Sequence, residues 1–106
     1  MTLNVADLQA SLEGRIVVDI RKAPDDRQIP GSVRYVGDEL ENAEVLPFDT
    51  AQQVVLYCGS GNSCQRVAET LRERGIDAVA LKGGYSAWRD AELDTEPISE
   101  LRSIDG

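Results

Sequence analysis

The sequence of 106 residues contains no histidine. This absence excludes Ser–His and Cys–His catalysis, in which an imidazole takes the proton of the nucleophile. Any general base must therefore be a carboxylate, lysine, tyrosine, thiolate or water. Cysteine is also scarce, because Cys58 and Cys64 are the only two. Two cysteines do not make a disulfide framework, and without histidine they are too few for a zinc site. We expect no metal and no other cofactor.

Long apolar runs and basic segments are missing as well. No apolar run approaches the roughly 20 residues that cross a bilayer, and the first residues lack the pattern of a secretory signal. The formal net charge is −8, from 19 acidic and 11 basic residues, and only two of the basic residues are lysines. We therefore expect neither nucleic acid nor membrane as a partner. We predict a cytoplasmic protein with an ordinary solvated acidic surface; a salt-rich cytoplasm is the alternative.

What remains has the pattern of a single α/β domain over residues 1–106. Aromatic residues make up 5% of the chain, so valine, leucine, isoleucine and alanine must form the core. Apolar runs predict strands, and amphipathic periodicity and caps predict helices between them. The predicted strands are 15–20, 33–36, 53–57 and 77–81, and the predicted helices are 5–12, 38–44, 64–74 and 85–91. This alternation predicts a small, mostly parallel central sheet with helices on both faces. Residues 22–31 are expected to form a loop, and residues 92–106 a polar, loosely packed tail.

The most informative segment joins the 53–57 strand to the helix that follows it. It begins with Cys58 and continues through a loop of small residues, namely Gly59, Ser60, Gly61, Asn62 and Ser63. Ligands of parallel sheets bind beyond the carboxyl ends of the strands. Lys82-Gly83-Gly84 follows the next strand at the same end, so the two loops are expected to face a shared pocket.

This segment is suited to stabilising an anion on the sulfur of Cys58. Glycines 59 and 61 are expected to adopt positive φ and turn backbone N–H groups inward. The positive end of the following helix dipole points at the same place. An ordinary cysteine has a pKa of about 8.5. We predict a lower pKa for Cys58, which would make it largely thiolate near neutral pH.

Four segments, in this order, resemble signatures of the rhodanese family of sulfurtransferases. They are Val17-Val18-Asp19-Ile20-Arg21, Ile29-Pro30-Gly31-Ser32, Val54-Val55-Leu56-Tyr57-Cys58 with Gly61-Asn62-Ser63, and Leu81-Lys82-Gly83-Gly84-Tyr85-Ser86-Ala87-Trp88. The chain is most similar to the small single-domain thiosulfate sulfurtransferases. It departs from the family pattern in several ways, including Arg27 in place of a glycine and a connection from Asp19 to Ile29 that is about two residues shorter than usual. Three departures lie at or near the site. Gln28 stands where histidine is usual, the loop contains no arginine, and Cys64 replaces the serine or threonine that commonly opens the helix.

The resemblance implies a rhodanese-like fold and a double displacement at Cys58. The thiolate attacks the outer sulfur of a small anion such as thiosulfate, releases sulfite and retains a persulfide. Cyanide or a protein thiol then removes that sulfur, and no general base is needed once the thiolate exists. The loop residues Gly59 to Cys64 are expected to bind the transferred group. Arg66 and Lys82 are the candidate contacts for an anionic donor, whereas Asp19 and Arg21 are expected to brace the loops.

Several alternatives stay open. The same fold could serve as a sulfur carrier or regulatory binding module with little activity on thiosulfate. Phosphatases and arsenate reductases with a cysteine loop typically use a loop one residue longer that an arginine closes, and here Cys64 occupies that position. The position of Cys64 on the apolar helix face favours a packing role. The alternative is a resolving thiol that forms a disulfide with Cys58. Trp88 is expected in the core.

Overall fold

The structure is a computed structural model that describes residues 2–48, 51–59 and 63–102. Seven strands are present in this part of the chain: β1 (Thr2–Leu3), β2 (Arg15–Asp19), β3 (Arg27–Gln28), β4 (Val33–Arg34), β5 (Gln53–Tyr57), β6 (Ala78–Leu81) and β7 (Glu96–Pro97). Five of them form a parallel sheet in the order β1-β6-β5-β2-β4. The other two, β3 and β7, form a separate antiparallel pair. The predicted mostly parallel α/β fold is therefore confirmed.

Four α-helices and one short 3-10 helix connect the strands. They are α1 (Val5–Ala10), the 3-10 helix (Leu12–Gly14), α2 (Gly37–Asn42), α3 (Ser63–Glu73) and α4 (Gly84–Asp90). Asn4 caps α1, since its Oδ1 accepts the N–H of Asp7 at 2.8 Å. Among the described residues, no helix is long and apolar enough to cross a bilayer.

The helices cover both faces of the sheet, and β5 shows why. Side chains alternate along a strand, so Val54 and Leu56 belong to one apolar cluster and Val55 and Tyr57 to the other. The first cluster contains the buried face of α3 and Leu40 of α2, and the second contains residues of α1 and α4. The alternation places Cys58 in the cluster on the α3 side.

The region after residue 92 differs from the predicted loose tail. Within its described part, Glu96 and Pro97 form β7 against β3, and Leu101 forms a β-bridge with Arg34. The side chain of Gln28 is 1% exposed and provides the main anchor. Its Oε1 accepts both the N–H and the Oγ–H of Ser99 at 3.0 Å, and its Nε2 donates to Glu96 at 2.5 Å. The polar composition of the segment reflects these hydrogen bonds rather than loose packing.

The strands β1, β3 and β7 were not predicted. Each contains two residues, which is too short for an alternating pattern to appear in the sequence.

Candidate active site

Cys58 lies at the carboxyl end of β5 and is 7% exposed. Its backbone carbonyl accepts the N–H of Tyr85 at 2.8 Å. The next carbonyl, that of Gly59, accepts the N–H of Ser86 at 3.0 Å and its hydroxyl at 2.9 Å. The first turn of α4 thus holds the beginning of the cysteine loop. The two loops, which were expected to face a shared pocket, touch each other directly.

The turn before α4 requires glycine. Gly83 and Gly84 have φ of +77° and +60°, in the left-handed region that side chains disfavour. A Cβ added at Gly83 would lie 2.6 Å from the Cβ of Ala87. The Gly-Gly pair therefore allows α4 to begin where its amides can reach the carbonyls of Cys58 and Gly59.

Cys64 places the N-terminal turn of α3 against the sulfur of Cys58. It is the second residue of α3 and is fully buried. Its Sγ lies 3.6 Å from the Sγ of Cys58, within hydrogen-bond distance for sulfur, and no disulfide joins the two. The helix is eleven residues long, so the positive end of its dipole lies beside Cys58.

The hydrogen bond with Cys58 raises the pKa of the Cys64 thiol, and burial and the charge on Cys58 add to that effect. Cys64 therefore keeps its proton when Cys58 is ionised. In that state only Cys64 can be the donor of the hydrogen bond between the sulfurs.

The predicted loop is only partly described. Ser60, Gly61 and Asn62 lie outside the described residues. Ser63 is the first residue of α3 and is exposed. The expected positive φ of Gly59 is wrong, because Gly59 is not among the residues with positive φ, and a Cβ there would meet no atom within 4 Å. An amide of α4 holds the carbonyl of Gly59, and neither the φ of Gly59 nor the space around it requires a glycine there.

A cleft of about 570 Å³ lies beside the N-terminal turn of α3. Its lining includes Ser63 and four cationic residues with one acidic residue, namely Arg21, Lys22, Arg34, Arg66 and Asp38. The lining is thus positive in a chain whose net charge is −8. Such a local charge raises the concentration of small anions at the cleft.

The two predicted anion contacts differ in position. Arg66 lines the cleft, but its side chain is 68% exposed, and it forms ion pairs with Glu41 at 3.1 Å and Asp38 at 3.6 Å. Lys82 is exposed and is not part of the cleft lining. Lys22 and Arg34 do line it and were missed. Arg34 is the last residue of β4, and its place at the carboxyl end of a parallel strand was the signal that would have found it.

Asp19 and Arg21 form a buried ion pair beneath the cleft. Arg21 donates to the carboxylate of Asp19 from Nη2 at 2.7 Å and from Nε at 2.9 Å. Its Nη2 also donates to the carbonyl oxygen of Arg27 at 2.7 Å. The guanidinium lies over the ring of Tyr85, 4.2 Å from the centroid. Because the amide of Tyr85 binds the carbonyl of Cys58, the ion pair braces the residue that holds the cysteine loop.

Arg34 has an unusual environment at the edge of the cleft. Its Nη1 donates to the carbonyl of Ser99 at 2.8 Å. Its Nε is buried and lies 3.7 Å from the carboxylate of Asp19, without a hydrogen-bond partner in the described part of the chain. Arg34 thus adds a positive charge at the edge of the cleft, and its Nε faces Asp19.

Comparison with known proteins adds evidence from sequence. Residues 4–91 match the model of the rhodanese-like domain family. Over 79 residues, 72% of this chain, the sequence is 35% identical to a tRNA sulfurtransferase of Pyrobaculum aerophilum. Over 70% of the chain it is 32% identical to a tRNA sulfurtransferase of Desulfurococcus amylolyticus. The matched regions cover only 16% and 15% of those relatives, so this chain corresponds to a small part of each.

Solved structures show the same fold. A thiosulfate sulfurtransferase from Pseudomonas aeruginosa superposes with a TM-score of 0.80 at 30% identity, over 94% of this chain and 20% of that one. A rhodanese-related protein from Thermoplasma volcanium superposes with a TM-score of 0.78 over 90% of this chain and 96% of that one; its 20% identity supports the fold alone. With the sheet order, the strand-end cysteine and the family match over residues 4–91, the chain belongs to the rhodanese-like domain family.

Proposed function

We propose that this chain is a sulfurtransferase that carries sulfane sulfur as a persulfide on Cys58. The observation that supports it best is the position of Cys58, at the carboxyl end of β5 with the first turn of α3 on its sulfur. The helix dipole and the Cys64 thiol both favour an anion there. The names of the relatives, tRNA sulfurtransferase and thiosulfate sulfurtransferase, agree with this chemistry.

The proposed donor is a small anion with a sulfane sulfur, such as thiosulfate. The thiolate of Cys58 attacks the outer sulfur, the sulfur–sulfur bond of thiosulfate breaks, and sulfite leaves with its electron pair. A persulfide anion remains on Cys58. The cationic lining of the adjacent cleft, including Arg34 and Arg66, would attract the dianionic donor despite the acidic surface.

The proposed acceptor is a nucleophile such as cyanide or a thiol. It attacks the outer sulfur of the persulfide and returns Cys58 to the thiolate. Neither half-reaction requires a general base, because the nucleophile is already ionised. This mechanism suits a chain that lacks histidine.

A sulfur carrier that accepts sulfur only from a protein donor is the second candidate. The ion pairs of Arg66 support this candidate, because Asp38 and Glu41 reduce the positive charge that Arg66 presents to a small anion. A phosphatase or arsenate reductase activity is disfavoured, because the position six residues after Cys58 is the buried Cys64 rather than an arginine.

The test is steady-state formation of thiocyanate from thiosulfate and excess cyanide. The unaltered chain is expected to turn over and Cys58→Ser to be inactive. Cys64→Ser, which replaces the thiol donor beside Cys58 with a hydroxyl, is expected to turn over at a reduced rate. Excess cyanide removes the sulfur from Cys58 before Cys64 could react with it. No thiocyanate from the unaltered chain would refute the thiosulfate reaction. A gain of about 32 Da on Cys58 from a persulfide-bearing protein alone would then favour the carrier.

A further inference from the structure

Cys64 is buried in the core, and its sulfur also lies 3.6 Å from the sulfur of Cys58. We propose that Cys64 is a resolving thiol, which attacks the persulfide on Cys58, forms a Cys58–Cys64 disulfide and releases sulfide. This inference rests on the proposed function, because the step requires a persulfide on Cys58. The step adds a second product, sulfide, and a redox cycle to the proposed reaction.

The distance between the two sulfurs is the first support. They lie 3.6 Å apart, and a disulfide bond is about 2.05 Å long, so closing the gap takes a movement of about 1.5 Å. The two cysteines are six positions apart, across a loop that begins at Gly59. Rotation of the two cysteine side chains can supply a movement of that size.

The direction of approach is the second support. Cys58 is 7% exposed, whereas Cys64 is fully buried in the apolar cluster on the α3 side of the sheet. A donor must reach Cys58 from the solvent side, so the sulfur that it leaves also lies on that side. Cys64 touches Cys58 from the buried side. Displacement at the inner sulfur requires the outer sulfur to leave away from Cys64, and the solvent side of Cys58 offers that direction.

The step balances without an external oxidant. The Sγ of Cys64 bonds to the Sγ of Cys58, and the bond between Cys58 and the outer sulfur breaks. The electron pair of that bond leaves with the outer sulfur, which takes the proton of Cys64 and departs as hydrosulfide. The two cysteine sulfurs lose two electrons, and the sulfane sulfur gains them.

Protonation orders the two steps. While Cys58 is the anion, its hydrogen bond raises the pKa of Cys64 and keeps Cys64 a thiol. Cys64 therefore does not compete for the donor. Once the persulfide forms, the negative charge moves to the outer sulfur, one atom farther from Cys64. The negative charge then raises the pKa of Cys64 less, at the stage of the reaction when Cys64 must attack.

This step makes the reaction depend on a reductant. A fast external acceptor, such as cyanide, takes the sulfur from Cys58 before Cys64 reacts. Without one, the chain releases sulfide once and stops as the disulfide. A dithiol reductant would restore both thiols, so a protein dithiol is the class of partner that this cycle requires.

The experiment is a single turnover with thiosulfate, without oxygen, thiol or cyanide, followed by intact mass and sulfide measurement. The unaltered chain is expected to lose about 2 Da relative to the dithiol form, because the disulfide lacks two hydrogens. It is also expected to release about one sulfide per chain, since that sulfide comes from the persulfide. Cys64→Ser is expected to gain about 32 Da and release less than about a tenth of that sulfide. A sample without thiosulfate controls for adventitious oxidation, and Cys58→Ser is expected to stay unchanged.

A measurement on the unaltered chain makes the test independent of how well Cys64→Ser folds. Trypsin is expected to leave both cysteines in one peptide, residues 35–66. After turnover, that peptide should resist alkylation until it is reduced and then take two alkyl groups.

The two proposals fail differently. A stable gain of about 32 Da in the unaltered chain, with no sulfide and with both sites alkylated in the denatured chain before any reduction, would overturn the resolving role and leave the sulfurtransferase intact. No mass change and no sulfide from any variant would overturn the reaction with thiosulfate, and the role of Cys64 with it.

Discussion

Replacing Asp19 with alanine tests whether the buried ion pair holds the site together. Asp19 and Arg21 have side chains that are 0% and 5% exposed. The carboxylate accepts three N–H groups of Arg21, from the backbone at 2.9 Å, Nε at 2.9 Å and Nη2 at 2.7 Å. Asp19→Ala removes all three bonds and leaves a guanidinium buried with reduced compensation.

The magnitude follows from what Arg21 would retain. It keeps the carbonyl of Arg27 at 2.7 Å, the ring of Tyr85 at 4.2 Å and the half-exposed Asp25 at 3.4 Å. Removing one partner of a buried pair typically costs about 3–5 kcal/mol. Arg21 keeps part of its compensation, so we expect a loss of about 3 kcal/mol in the free energy of unfolding. A domain of this length has roughly 5–15 kcal/mol in total.

Urea unfolding followed by tryptophan fluorescence measures the loss. With an m-value of about 1.5 kcal/mol/M, the midpoint should fall by about 2 M while m is unchanged. The double variant Asp19→Ala/Arg21→Met should recover most of the loss, because no unpaired charge stays buried.

Arg89→Ala is the matched control. It also removes one partner of an ion pair to an aspartate at 3.4 Å, but its side chain is 63% exposed. We expect a change within about 0.5 kcal/mol. A loss below about 1 kcal/mol for Asp19→Ala, or a double variant no more stable than the single one, would refute the reasoning.

Three further outcomes are expected. Gln28→Ala should lower the free energy of unfolding by about 2–3 kcal/mol and speed hydrogen exchange at Ser99, whose N–H it binds; slow exchange at Ser99 would contradict this anchor. Burial raises the pKa of Tyr57 above that of an exposed tyrosine, so stability should fall as pH rises above about 10, where only the unfolded chain ionises this group. A fall that persists equally in Tyr57→Phe would show that other groups cause it. Arg34→Met should raise the KM for thiosulfate several-fold with little change in kcat, whereas Lys82→Met, a cation outside the cleft, should not; equal KM values would argue against a role of Arg34 in donor binding.

The central elements were predictable because their signals are local. Three β-branched or aliphatic residues and a tyrosine predicted β5 close to its observed limits, and the apolar positions of α3 predicted its buried face. The caps at Asn4 and Gly83 are also local features. The two-residue strands β3 and β7 were missed because long-range partners stabilise them, chiefly the side chain of Gln28.

The site was predictable in part for the same reason. Cys58 follows from its place after β5, and Arg66 from its place one turn into α3. Arg34 was missed because its relation to the site depends on the pairing of β4 with β2. Lys82 was placed near the site by its strand end, but the turn at Gly83 leaves it exposed and outside the cleft.

The sequence by itself determined the class of chemistry. The absence of histidine excluded catalysis by an imidazole base, and the order of strand, cysteine, small-residue loop and helix predicted a thiolate nucleophile and the way it is stabilised. Only the tertiary structure decided what Cys64 contacts. Its place on the apolar face of α3 predicts packing, since periodicity reports which side of a helix is buried. Which atom a buried side chain meets depends on how α3 lies across the end of β5, and there the sulfur of Cys64 is 3.6 Å from that of Cys58.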